Sequence, residues 1–234
     1  MKPFFISAFF IVAGFVAAYI WYSEFTTIAN EDGPVEWVGA LSFLFASVFL
    51  LRQYIRSSPT DLFVFKHKKS LFLLGLAIIM FVGFGEEISW GQRIFNISTP
   101  DSMKEMNIQG EFNLHNLEIF HRRAKHGEKS GIALLLSVEV LFNFFWFGLC
   151  VIIPLLSKMS TTARSLLNRM GFPVPPLTIG GLFLLTYAVF KTCAILHSPV
   201  EGIMVPARGF GELKEMYYGL LFALYSLQNL DTKN

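Results

Sequence analysis

Cysteine is scarce in this chain of 234 residues: there are two, Cys150 and Cys193, each inside an apolar run. Their expected depths differ, so no disulfide is expected, and both read as small hydrophobes. Charge is scarce too. Asp, Glu, Lys and Arg make up 15% of the residues, against about 25% in a typical soluble domain. The formal net charge is +2, and the basic runs are short and border apolar segments. That leaves no surface for a phosphate backbone, and nucleic acid is not an expected partner. The usual catalytic signatures are missing as well. There is no Gly-x-Ser-x-Gly elbow, no cysteine at a polar face, and no Walker or Rossmann glycine loop.

What the chain has is hydrocarbon. Hydrophobic residues make up 53% of it, with 26 Phe. They are blocked into six runs, roughly 4–22, 36–53, 71–88, 131–156, 177–197 and 213–230. A bilayer needs about 20 apolar residues per helix, and length separates such runs from buried soluble helices. The expected fold class is all-α: a polytopic membrane helix bundle of about six transmembrane helices, one integral membrane domain over 1–234. The first run imitates a signal peptide but is longer than a cleavable apolar region and ends in Tyr19, Trp21 and Tyr22, which suit the interfacial aromatic belt. It reads as an uncleaved helix. The lipid bilayer is the expected partner; the sequence names no protein partner.

Orientation follows from Lys and Arg in short loops. The 52–69 loop holds Arg52, Arg56, Lys66, Lys68 and Lys69, and the 157–175 loop holds Lys158, Arg164 and Arg169. The 23–35 loop has no Lys or Arg. Six spans then put the basic loops and both termini on the cytoplasmic side. One stretch runs against this: Arg122, Arg123, Lys125 and Lys129 fall on the outer side.

The same topology gathers the acids, amides and most His at the outer face. The stretch Phe84-Gly-Glu-Glu-Ile-Ser-Trp-Gly-Gln-Arg93 ends the third run. A charge there is costly to desolvate without a partner. Two adjacent carboxylates cannot both ionise easily, which suits Glu86 or Glu87 to a general base or a metal ligand. Arg93 suits an anionic headgroup, and Trp90 and Gln92 suit substrate contacts. Downstream, the spacing predicts an interfacial helical segment over 96–128. One helix is capped by Thr99 with Pro100 at its first position, and a second runs from about Phe112 to Lys125, broken from the first by Gly110. His115 completes the catalytic candidates, with Gln109, Asn113 and Asn116 as substrate contacts. Glu111 and His115, four apart, share a face of that expected helix and form the candidate metal pair. Zinc needs three ligands and an open position, which Glu86, Glu87, His115 and His197 supply if the outer ends of the third and fifth spans meet the interfacial helix. The cofactor stays open, with a divalent metal as its candidate. Inside the spans, Glu139 and Lys191 lie at matched depths and are expected to face the bundle interior as a structural pair.

Glu86-Glu87 followed by Arg93, then Phe112 and His115, loosely resembles the CPBP membrane proteases, although here Arg93 lies five residues past the Glu pair instead of three. More closely, Gly-Glu-Glu-Ile-Ser-Trp-Gly-Gln-Arg at 85–93 and Gln-Gly-Glu-x-Asn-Leu-His-Asn at 109–116 resemble an uncharacterised family of bacterial multi-pass membrane proteins. That resemblance implies the bacterial inner membrane and transfers no activity. Two function classes follow. One is a hydrolase or transferase acting at the outer face on a lipid or lipid-linked substrate. The other is a non-catalytic membrane subunit, transporter or sensor whose polar cluster is structural.

Overall fold

The computed structural model describes residues 2–30, 33–57, 70–92, 94–120, 123–124, 127–128, 135–197 and 208–228. Their long elements are helices. In chain order these are α1 (Lys2–Ile20), α2 (Tyr22–Ile28), α3 (Pro34–Arg56), α4 (Leu71–Glu87), the short α5 (Asp101–Met106), α6 (Val138–Phe147), α7 (Ile153–Met159), α8 (Thr161–Arg169), α9 (Leu177–His197) and α10 (Arg208–Gln228). A π turn at Gly148–Ile152 joins α6 to α7. Among the described residues, four stretches are long and apolar enough to cross a membrane: α1, α3, α9 and the continuous Val138–Met159. α4 has 17 residues, and α10 carries Arg208, Glu212, Lys214 and Glu215.

Local chemistry sets the boundaries. α3 opens on Gly33 with Pro34 in its first turn, where a missing N–H is harmless. The Ser70, Ser137 and Ser160 hydroxyls accept from Leu73 N, Val140 N and Ala163 N and so cap α4, α6 and α8. The first apolar run, expected as one helix over 4–22, stops at Ile20 and restarts as α2, with Trp21 at the break.

α3 packs against α4 on one side and α10 on the other, and α9 against α1 and α10. α3 and α10 run side by side in the same direction: Phe43 meets Phe222, and Gln53 Nε2 donates to the Ser226 carbonyl at 2.6 Å. Their backbones touch. A Cβ on Gly219 would stand 2.8 Å from the Gly39 carbonyl oxygen, so small residues set the approach, as in membrane helix pairs. Deeper down, Trp146 stacks on Phe183 at 5.3 Å, and Tyr218 and Phe222 close on Phe183 at 5.1 and 4.9 Å. Meanwhile Phe5, Phe9 and Phe10 of α1 are more than 60% exposed, as a lipid-facing helix requires.

The 96–128 segment departs from expectation. α5 forms where a helix is expected, but Pro100, not Thr99, occupies its cap, with no side-chain hydrogen bond. The second helix, over Phe112–Lys125, does not form. In its place stand turns, a 3-10 turn at Glu118–Phe120, and a two-residue ladder pairing Arg123–Ala124 with Gly127–Glu128. The spacing of Leu114, Leu117 and Phe120 fits a helix, but the Asn107 side chain bonds the backbone at Gln109, Glu111 and Asn113 and folds the segment into a turn instead. Arg93, Arg122, Lys125, Lys129 and the 58–69 part of the basic loop lie outside the described residues.

Candidate functional site

α4 ends in an abrupt turn. Ser89, Trp90 and Gly91 have φ of 46°, 53° and 78°, three successive left-handed residues. The two that carry side chains cost about 1–3 kcal/mol each. Neighbours hold them. The Trp90 indole Nε1 donates to Glu86 Oε1 at 2.7 Å, and its ring lies over Gly85, where an added Cβ would meet it at 2.8 Å. The buried Ser89 hydroxyl donates to Glu111 Oε2 at 2.9 Å and accepts from Asn113 Nδ2 at 3.1 Å.

The partner segment, 107–117, folds around Asn107, which is 1% exposed. Its Oδ1 accepts from Gln109 N at 2.9 Å and Glu111 N at 3.3 Å. Its Nδ2 donates to the carbonyl and the Oδ1 of Asn113 at 3.0 and 2.9 Å. Asn113 Nδ2 also reaches Glu111 Oε2 at 2.7 Å, and Asn116 Nδ2 donates to Gln109 Oε1. Gly110, at φ 73°, turns the chain between Gln109 and Glu111. Asn107 was not among the sequence candidates. An Asn followed three residues later by Gly is a turn signature, and that was the available signal.

The two segments lock through side chains that accept backbone N–H groups. Gln92 Oε1 takes Phe112 N at 2.6 Å, while its Nε2 donates to the Thr99 hydroxyl. Glu86 Oε2 takes Leu114 N at 2.7 Å and His115 N at 2.8 Å, and lies 3.2 Å from His115 Nδ1. The Glu86 side chain is 12% exposed and the His115 side chain 37%. Glu86, Trp90, Gln92, Gln109, Glu111, Asn113, His115 and Asn116 therefore belong to one interlocked cap over the end of α4.

Glu87 does not join it. Successive helix residues point about 100° apart, so Glu86 and Glu87 cannot serve one face. Glu87 lies within electrostatic reach of Glu36 on α3 and Glu212 and Glu215 on α10. Lys214, 6% exposed, pairs with Glu215 at 3.3 Å and sits 4.8 Å over the Phe190 ring. Lys191 Nζ rests over Tyr187 and Phe190, at 5.4 and 5.5 Å. Its α9 position, six residues from His197, mirrors that of Lys214, six from Arg208. Glu139, in the first turn of α6, lies near Tyr218, whose hydroxyl is fully buried and has no hydrogen-bond partner among the described residues.

The donor set does not suit a metal. The Glu86 and Glu111 carboxylates face N–H and O–H donors, whose hydrogens occupy the lone pairs that a cation would need. Among the described residues no three His, Cys, Asp or Glu side chains converge for one. His197 packs on Tyr22, with ring centroids 3.8 Å apart, and on Phe210.

No family model, curated protein or solved structure matches this chain. The geometry of the cap is therefore the ground on which its function must be argued.

Proposed function

We propose that this chain is a six-span protein of a bacterial inner membrane, with both termini on the cytoplasmic side and the cap on the outer face. In this reading it is a non-catalytic membrane component, a transporter or sensor or a subunit of one, and its cap is structural. One observation carries the reading: Glu86 spends its carboxylate on the backbone N–H groups of Leu114 and His115 and on the Trp90 indole. Ser89, Gln92, Asn107 and Asn113 are committed in the same way. A catalytic carboxylate needs a lone pair free for substrate or water, and here the lone pairs go to the protein's own backbone. α4 and α10 complete the six spans, since each runs the length of a neighbour that qualifies by length and composition.

One feature favours the enzyme reading. The His115 imidazole is half exposed and held through Nδ1 by a carboxylate, the arrangement that orients a general base. A hydrolase or transferase acting on a lipid headgroup would use it. Paired substitutions separate the two. On the structural reading, Glu86→Gln lowers the yield of folded protein and loosens the 107–117 segment, while His115→Gln leaves folding and cellular function close to the parent's. Full folding with abolished function in both variants would reverse the assignment.

A further inference from the structure

α4 packs along α3, but another of its faces lines an open cleft of about 370 Å³. Leu71, Gly75 and Ile79 form one wall, Gly148 and Ile153 the other, and Phe172 lies at one end. Phe172 is fixed there by its ring contact with Phe72 at 4.7 Å, and the Ser70 hydroxyl donates to the neighbouring Gly171 carbonyl at 2.5 Å.

The sequence holds the walls apart. A Cβ on Gly75 or on Gly148 would meet nothing within 4 Å, so both glycines widen the space. The π turn at Gly148–Ile152 commits its backbone to α9 instead: a Cβ on Gly180 would stand 2.1 Å from the Cys150 carbonyl oxygen. An extra residue in a helical turn displaces its carbonyls outward. Here one, that of Cys150, is turned onto Gly180 of α9.

Dimensions and charge indicate the occupant. Leu71 to Ile79 is eight residues, about 12 Å at 1.5 Å per residue. One leaflet of hydrocarbon is half of about 30 Å, so the cleft spans most of a single leaflet. The Phe172 end lies where α4 and α9 begin and α3, α7 and α8 end. The last turns there hold Arg56, Lys158 and Arg169, and the first turns of α4, α8 and α9 hold no acid. A basic rim above an apolar slot between helices is the chemistry of anionic headgroup recognition.

We propose that this cleft binds one acyl chain of an anionic phospholipid, with the headgroup phosphate held at the basic rim. The inference needs the chain to sit in a bilayer and is independent of what the cap does.

The test is mass spectrometry of the intact protein released from micelles containing equal amounts of phosphatidylglycerol and phosphatidylcholine. The parent should retain phosphatidylglycerol over phosphatidylcholine by about tenfold. Gly75→Leu or Gly148→Leu, which fill the cleft from opposite walls, should lose the retained lipid. Lys158→Gln with Arg169→Gln should keep lipid but lose the preference. In the unsubstituted protein, a phosphatidylglycerol carrying a diazirine on its acyl chain should label peptides of α4 and α6–α7, a readout that no folding defect can mimic. Equal retention of the two lipids by the parent, unchanged retention in both leucine variants, or labelling confined elsewhere would each overturn the proposal. Retention of glycerophosphoglycerol without acyl chains would make a free phosphate the ligand. A parental dimer split by Gly75→Leu would make a second copy of the chain the occupant. Either result also overturns it.

Discussion

Replacing Glu86 with Gln tests the cap at its centre. Glu86 Oε2 receives Leu114 N and His115 N, and Oε1 receives the Trp90 indole, at 2.7, 2.8 and 2.7 Å. Hydrogen bonds to a charged acceptor contribute about 1.5–3 kcal/mol and neutral ones about 0.5–1.5. Gln in the same place therefore weakens the two backbone bonds by about 1 kcal/mol each. It has one acceptor oxygen where Glu had two. If that oxygen serves the backbone, the amide NH₂ faces the indole N–H, donor against donor, for about 1 kcal/mol more at this half-exposed ring. The sum is about 3 kcal/mol, and at 2–4 °C per kcal/mol for a chain of this size it lowers the melting temperature by about 6–12 °C. Thermal unfolding in detergent measures it, and limited proteolysis should show earlier cleavage within 107–117. Trp90→Phe removes the opposing donor, so the double variant should lose less than the sum of the single losses. A Gln variant that melts with the parent, or strict additivity with Trp90→Phe, refutes the reasoning.

Three further outcomes are expected. A cysteine placed at Ser102 should react with a membrane-impermeant thiol reagent in intact cells while one at Ser160 should not; the reverse pattern inverts the topology. Gly180→Ala should abolish monodisperse protein, because its Cβ would sit 2.1 Å from a backbone carbonyl oxygen of the π turn; a melting temperature near the parent's would show that the helices part easily. Glu215→Gln should destabilise more than Lys214→Met in thermal melts, because it strands a buried ammonium, whereas the converse leaves Glu215, 45% exposed, able to take up water; equal losses would mean the pair is solvated.

Four helices of membrane length were legible among the described residues because an apolar run long enough for a bilayer has few other uses. Helix ends were less so: α10 begins at Arg208, ahead of its apolar part, where Phe210 packs on Tyr19, Tyr22 and His197 and Leu213 is buried. The two motifs were legible as a meeting place, since both are polar and lie at the same end of the bundle. Their roles were not. Glu86 and Glu87 read as a pair in a string of letters, but the helical rotation separates them into a cap and a bundle interior. Likewise Asn107, Asn113 and Asn116 look like substrate ligands or spacers until the backbone they fold around is known. Spacing alone cannot say whether an amide bonds its own chain or something else.

The left-handed triplet at Ser89–Gly91 has a bearing on how the chain is made. Its conformation is unfavourable by itself and is held by Glu111 and Asn113, more than twenty residues downstream. On the proposed six-span topology, those residues have not yet been synthesised or moved past the bilayer while α4 is being inserted. The end of the third span therefore stays untied until the 107–117 segment arrives on the same side. On that topology the motif would work as a latch that closes only on a chain threaded the right way round.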